Sequence, residues 1–168
     1  MKYKTAYFHT SDHLQETFRL QLDEIEQVIS TVQWAPDFSF DYSGRTYINQ
    51  TGYNKAFQAA FGELGWEVEP VLERKPMLKG DFRKHLVFIE VQFGNSSTLF
   101  RDYYKFQYGL ANGLLSLAVL IVPENPAHFF PTRIESIRNM ADFRLAHKCF
   151  TMLQINVPTL VIGLMPEN

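Results

Sequence analysis

A chain of 168 residues is long enough for one domain with its own hydrophobic core. Hydrophobic residues make up 46% of the chain and charged residues 20%, which excludes an intrinsically disordered protein. The formal net charge of -2 at pH 7 excludes a strongly basic, histone-like DNA binder, although an enzyme that acts on DNA can confine its cations to one face.

The first half of the chain predicts two helices joined by a loop. Asp12 and Gln15 resemble a capping box, and apolar residues then recur at helical spacing: Leu14, Phe18, Leu22, Ile25 and Ile29. Residues 33–51 contain Pro36, Gly44 and several aromatics, which indicates a loop with one or two short extended pieces. A second helix is predicted over about 53–64, with Gly65 as its C-cap.

After Gly65 the pattern changes from helical to alternating. Three short strands are predicted over residues 66–69, 78–81 and 85–93, and they would form a meander. A helix over about 98–112, a buried strand over 115–122, a long helix over 135–153 and a last strand over 159–164 follow. This order predicts a single α/β domain, residues 1–168, in which helices flank both faces of a mixed central sheet.

The sequence also indicates where the protein works. Cys149 is the only cysteine, so no intramolecular disulfide is possible, as suits a reducing cytoplasm. Residues 1–13 lack the apolar core and the small-residue cleavage site of a signal peptide. The longest apolar run, over residues 114–122, contains Ser116 and is too short to span a bilayer. We therefore expect a cytoplasmic protein that does not enter a membrane.

The residues that carry chemistry lie between Lys79 and Asn95. Side chains alternate along a strand, so Glu90 and Gln92 share one face, while Ile89, Val91 and Phe93 point the other way. Asp81 follows Gly80 at the end of the preceding predicted strand. A tight reversal around Arg83 and Lys84 would bring Asp81 close to Glu90.

Two carboxylates that converge in this way suit a hard divalent cation. We expect Asp81, Glu90 and the Val91 carbonyl to bind Mg²⁺, with Mn²⁺ as a substitute, and Gln92 to orient a water molecule or a phosphate oxygen. The alternative is an amphipathic edge strand whose acid faces solvent.

The spacing of these residues resembles a known catalytic motif. Asp81, eight intervening residues and then Glu90-Val91-Gln92 are similar to the motif of the BglII/BstYI group of type II restriction endonucleases. This group is the branch of the PD-(D/E)XK nucleases in which glutamine replaces the usual lysine. Phe93-Gly94-Asn95 and the helix from Phe100 to Gln107 extend the resemblance, which runs from about Trp66 to Leu164.

The resemblance implies a restriction-endonuclease-like core and a function. It implies a homodimer that hydrolyses duplex DNA with Mg²⁺ at a short palindromic site with a GATC-like centre. It also allows for a cognate DNA methyltransferase in the same system. Some members carry a further polar residue on the strand before the aspartate, and here Glu67 and Glu69 both fit. We also expect the additional DNA-embracing subdomains of the group to be absent or reduced.

Five residues after the motif are candidates for contact with DNA: Asn95, Ser96, Ser97, Arg101 and Lys105. In related enzymes the residue at the position of Asn95 lies near base edges, and Arg101 and Lys105 share a polar stripe with Tyr108 and Asn112 that would follow phosphates. The alternatives are a turn with a helix cap at residues 95–97 and a solvated helix face. Two other functions also remain open, namely a nuclease of the same superfamily without strict specificity and a catalytically inert DNA-binding or regulatory module.

Overall fold

The computed structural model describes residues 1–167, which form ten strands and six helices. In chain order these are β1 (Lys2–Phe8), α1 (Asp12–Thr17), α2 (Arg19–Thr31), β2 (Ser39–Tyr42), β3 (Arg45–Ile48), α3 (Asn49–Glu63), β4 (Glu67–Val68), β5 (Val71–Arg74), β6 (Met77–Lys79), β7 (Phe82–Lys84), β8 (Val87–Val91), α4 (Thr98–Ala111), β9 (Leu117–Pro123), α5 (Pro126–Phe129), α6 (Phe143–Met152) and β10 (Thr159–Met165).

The central sheet has six strands in the order β1-β10-β9-β8-β7-β4. Strands β8, β9 and β10 are parallel, because α4 crosses from β8 to β9 and the segment with α5 and α6 crosses from β9 to β10. Strands β1, β7 and β4 pair antiparallel at the two sides of this group. The predicted mixed α/β sheet is therefore confirmed, and two separate hairpins, β2–β3 and β5–β6, lie outside it.

Both faces of the sheet are covered, which explains the continuous apolar runs of its central strands. Helices α2 and α3 pack on one face through residues such as Ile29 and Phe57, and helices α4 and α6 pack on the other through residues such as Phe106 and Phe150. All seven residues of β9 are buried as a consequence. No helix within residues 1–167 is long and apolar enough to cross a membrane.

Some predicted elements differ from the structure. The first predicted helix is two helices, α1 and α2, because buried Phe18 takes non-helical backbone angles between them. The second, α3, begins at Asn49, four residues before its predicted start. Strand β1 was not predicted at all: it lies at the edge of the sheet, most of its residues are exposed or half-buried, and a clear alternation is absent.

The prediction of a long helix over residues 135–153 is wrong for residues 135–142. Helix α6 begins only at Phe143, where the side chain of Asp142 caps it by accepting a hydrogen bond from Leu145 N at 2.7 Å. The preceding residues instead pair with the segment after β8, since Met140 forms a bridge with Asn95 and Ala141 N donates to Gly94 O. Tertiary hydrogen bonds therefore replace the helical ones.

Candidate active site

Asp81 is held against strand β8 by backbone hydrogen bonds on both sides. Its carbonyl accepts from Glu69 N at 2.9 Å, and its Oδ2 accepts from Val91 N at 2.7 Å. The chain reverses at His85 and Leu86, where His85 has a φ of 53°, and not at Arg83 and Lys84 as expected.

Arg83 and Lys84 instead belong to β7, so Asp81 stands just before that strand and not at the end of the preceding one. The predicted meander is accordingly β4, β7 and β8, while residues 77–79 pair with β5 in the separate hairpin. The reversal nevertheless brings Asp81 beside Glu90, as the sequence predicted.

Gly80 is required immediately before Asp81. A Cβ atom at this position would overlap Cζ and Cε2 of Phe88, a fully buried ring, and would come within 3.1 Å of Glu90 Oε1. Only a residue without a side chain lets the backbone of Asp81 approach strand β8 this closely.

Glu90 is a buried acid, with 3% of its surface exposed. Its Oε2 accepts a hydrogen bond from Lys105 Nζ at 2.7 Å, while its Oε1 is buried without a hydrogen-bond partner among the described residues. Burial, and then the carboxylate of Asp81, raise the pKa of Glu90 well above its ordinary range. Burial likewise raises the pKa of Asp81, against the effect of the Val91 N–H.

Lys105 does not lie in an exposed stripe with Arg101, so that expectation was wrong. Only 4% of its surface is exposed, and its Nζ lies 2.7 Å from Glu90 Oε2 and 3.0 Å from Asp102 Oδ1. Burial lowers the pKa of Lys105, but the two carboxylates together raise it above its ordinary value. Lys105 therefore belongs to the acidic site and not to the surface.

Sequence reasoning missed Asp102, which is 1% exposed and links helix α4 to strand β8. Its Oδ2 accepts from Gln92 Nε2 at 2.7 Å, and the Oε1 of Gln92 accepts from Gly94 N at 2.8 Å. Glu90 and Gln92 thus share one face of the chain as predicted, and this face meets α4. The result is one chain of hydrogen bonds from Gly94 through Gln92, Asp102 and Lys105 to Glu90.

These side chains line a single open cleft of about 380 Å³. Asp81, Glu90, Gln92, Asp102 and Lys105 lie along it together with exposed Arg101, and the β5–β6 hairpin forms its other side. A second cleft of about 230 Å³ shares Asp81, Val91 and Glu69 with the first. It is bounded by Asn54, Lys55 and Gln58 of α3, which sequence reasoning did not select.

The donors present fit a magnesium ion. Within residues 1–167 no three or more His, Cys, Asp or Glu side chains form a group that could hold a metal, so an ion here would rely on the carboxylates of Asp81 and Glu90 and on the Val91 carbonyl. Magnesium is commonly bound by one or two carboxylates and completes its shell with water and substrate oxygens. The unpartnered Glu90 Oε1 supports this fit, because a buried carboxylate oxygen without a partner is costly.

Of the two glutamates before Asp81, only Glu69 lies at the site. It lines both clefts, has a φ of 53° and contacts Lys79 at 3.5 Å. Glu67 instead binds Arg83 at 2.8 Å on the exposed outer side of β4 and β7.

Residues 95–97 form a turn that begins helix α4. Asn95 Oδ1 accepts from Ser97 N at 2.9 Å, its carbonyl accepts from Thr98 N at 2.9 Å, and Ser96 N donates to Asn139 O at 2.6 Å. Asn95 and Ser97 are exposed. The capping alternative therefore accounts for the Asn95 carbonyl and side-chain oxygen, while the side-chain amide group of Asn95 remains available.

Two comparisons with known proteins gave matches. Residues 3–164 match the family model described as "Restriction endonuclease BglII/BglIII". The crystal structure of restriction endonuclease BglII complexed with a DNA 16-mer superposes with a TM-score of 0.78 at 17% identity, over 100% of this chain and 78% of that chain. A search of curated proteins gave no match.

Proposed function

Since this chain belongs to the BglII/BglIII restriction endonuclease family, we propose that it is a type II site-specific deoxyribonuclease that cuts duplex DNA with Mg²⁺. The observation that carries the proposal is the convergence of Asp81 and Glu90 in one cleft, with an unpartnered carboxylate oxygen between them and an exposed arginine at its edge. The resemblance in fold to the BglII–DNA complex supports duplex DNA as the substrate.

In the proposed reaction, a water oxygen forms a bond to phosphorus while the bond from phosphorus to the leaving oxygen breaks. One proton of the water passes to solvent, the leaving oxygen takes up a proton from solvent, and negative charge grows on the phosphoryl oxygens in the transition state. A bound divalent ion, with Mn²⁺ as a substitute for Mg²⁺, would acidify the water and neutralise part of this charge. Asp81, Glu90 and the Val91 carbonyl would hold that ion, and the backbone contacts of Asp81 fix its carboxylate in place beforehand.

The contribution of Gln92 is limited by its hydrogen bonds. Its side-chain oxygen and one of its amide hydrogens are already engaged with Gly94 and Asp102. One amide hydrogen is left to orient a water molecule or a phosphate oxygen, and the remaining contribution of Gln92 is to position Asp102.

Contacts with DNA are proposed for exposed Arg101 in the cleft and for residues 95–97 before α4. Arg101 would bind a phosphate, and Asn95, Ser96 and Ser97 would approach base edges or the backbone from the start of α4. Two equivalent strands of a palindromic site call for two equivalent active sites, so we propose a homodimer acting on a site with a GATC-like centre. A cognate methyltransferase would protect the host DNA.

Digestion of a plasmid tests the function directly. With Mg²⁺ the protein should give discrete fragments, and a chelator should stop cleavage. Asp81→Ala and Glu90→Ala should each lower the rate by more than about a thousandfold, because each removes a charged element of transition-state stabilisation. Glu67→Ala is the matched control, since this acid lies on a neighbouring strand outside the cleft, and it should cut at the wild-type rate.

Four results would contradict the proposal. Cleavage that persists in the chelator would exclude the metal mechanism, and full activity of Glu90→Ala would exclude this site. A smear in place of fragments would indicate a nuclease without sequence specificity. Absence of cleavage by the wild type, with DNA binding retained, would indicate an inert binding module.

A further inference from the structure

A buried lysine between two buried carboxylates is unusual enough to require an explanation. The side chain of Lys105 is 5% exposed, and those of Glu90 and Asp102 are 4% and 1% exposed. Buried ion pairs contribute little to folding stability, because the cost of removing the charges from water offsets their attraction. Stability alone is therefore a weak reason for placing these three groups together in the cleft.

Helix α4 places a lysine in the cleft opposite strand β8, which has no basic residue. Strand β8 and the residues directly after it carry Glu90 and Gln92 but no lysine or arginine. Lys105 enters from helix α4, on the opposite wall, and brings its ammonium group to 2.7 Å from Glu90 Oε2. Helix α4 thus provides the charge that a glutamine at position 92 lacks.

The hydrogen bonds of Lys105 leave one N–H of its ammonium group free to contact a ligand in the cleft. An ammonium group has three N–H donors, of which Glu90 and Asp102 accept two, so one remains for a group in the cleft. The two oxygens of Glu90 differ, since Oε2 accepts a hydrogen bond from Lys105 and Oε1 has no partner within residues 1–167. A metal ion at Oε1 and the ammonium group at Oε2 can therefore be present together.

From this geometry we propose that Lys105 is a catalytic residue, whose third N–H contacts the scissile phosphate or the attacking water beside Glu90. Asp102 and Gln92 are positioning residues that hold the ammonium group in place through the chain of hydrogen bonds that starts at Gly94. The inference rests on the proposed function, because it assigns a role in the same hydrolysis.

Two variants test the proposal: the first removes the positive charge of Lys105, and the second restores a lysine at position 92. Lys105→Gln should slow single-turnover cleavage by about a hundredfold, the scale of losing one transition-state donor. Adding Gln92→Lys to that variant restores a lysine from the strand side, and it should recover at least about tenfold of the loss. The affinity for cognate DNA, measured with Ca²⁺ so that no cleavage occurs, should stay within about threefold of wild type for both.

Lys84→Gln is the matched control. Lys84 also forms an ion pair, at 2.7 Å from Glu24 Oε1, but it is only half-buried and lies outside the cleft. Its loss should lower the melting temperature and leave the cleavage rate unchanged. A rate for Lys105→Gln within about threefold of wild type would overturn the proposal, as would a well-folded double variant without recovery.

Titration with Mn²⁺ in the absence of DNA gives a readout that does not depend on cleavage. Removing a positive charge next to Glu90 should tighten Mn²⁺ binding by about tenfold in Lys105→Gln, and Gln92→Lys should reverse the effect. Equal affinities for all three proteins would overturn the placement of this charge in the metal site. If the wild type cuts no DNA, the proposed function fails, whereas the Mn²⁺ titration still decides whether the Lys105 charge acts there.

Discussion

Gly80 connects the packing of the sheet to the geometry of the candidate site. A methyl group at this residue would press on Phe88, which is fully buried between the sheet and α4, and would approach Glu90 Oε1. We predict that Gly80→Ala lowers the free energy of unfolding by about 1–3 kcal/mol, the usual cost of overpacking a core. Urea denaturation of the metal-free protein measures it.

Gly62→Ala is the control for this substitution. Gly62 lies exposed in helix α3, and the atom nearest to an added Cβ is Val68 Cγ2 at 4.0 Å. Alanine should stabilise the protein here by up to about 1 kcal/mol, because it has the higher helix propensity. Equal effects of the two substitutions would contradict the steric role of Gly80.

At the residue scale, the sequence predicted that Asp81 and Glu90 lie together but not that Asp102 and Lys105 face them. Strand alternation was enough to put Glu90 and Gln92 on one face, because it depends only on local backbone geometry. Asp102 and Lys105 come from another element, and their contact with β8 depends on how α4 crosses the sheet. One signal was available, since an aspartate at position 102 falls next to the apolar stripe of Leu99, Tyr103 and Phe106.

Among the elements, the β5–β6 hairpin contacts α4 through a side-chain hydrogen bond, in addition to the packing of Leu72 and Leu78 in the core. Tyr108 Oη of α4 donates to Glu73 Oε2 at 2.6 Å, while Glu73 Oε1 accepts from Arg74 N and Lys75 N in the hairpin turn. We predict that Tyr108→Phe speeds hydrogen exchange of the amides of β5 and β6 and leaves the central sheet unchanged. Tyr104→Phe, at an exposed position of the same helix, should have no effect.

The same contact gives the hairpin a pH dependence. The hydrogen bond from Tyr108, followed by those from the hairpin amides, lowers the pKa of Glu73 below its ordinary value. The stabilising contribution is therefore complete above that ordinary value and is lost as the pH falls through the lowered one. Hairpin protection that stays constant under acidification would contradict this assignment.

The elements with a clear local pattern of apolar residues were predicted well. Helix α4 and strands β9 and β10 lie within about two residues of their predicted bounds, because a strong period or a fully apolar run identifies each of them. Strands β1 and β5 were missed, because their partners are distant in sequence or their side chains are mostly exposed. The residues before α6 follow a helical pattern but are held by bonds to Gly94 and Asn95.

For the whole molecule, binding to DNA should depend on salt through the exposed cations beside the cleft. Each phosphate contact contributes about one unit to the slope of log affinity against log salt. Lys105 is buried, so we predict that Arg101→Ala lowers the slope by about one unit. Arg19→Ala should not lower it, because Arg19 at the start of α2 is already in ion pairs with Glu16 and Asp23. Fluorescence anisotropy at several salt concentrations measures both slopes. An unchanged slope for Arg101→Ala would mean that Arg101 faces solvent and contacts no phosphate.

The pairing of the first strand with the last places the two ends of the described residues side by side at one edge of the sheet. Strand β1 runs along the whole of β10, from Lys2 opposite Met165 to Phe8 opposite Thr159, and the amino group of Met1 lies 3.0 Å from Glu167 Oε1. A short linker can therefore close the backbone, and the turn at Ser43 and Gly44, at the tip of a hairpin outside the sheet, offers a place to open it elsewhere. A circular permutant cut there keeps every strand pair of the central sheet and every residue of the cleft in its original order from Glu69 to Lys105.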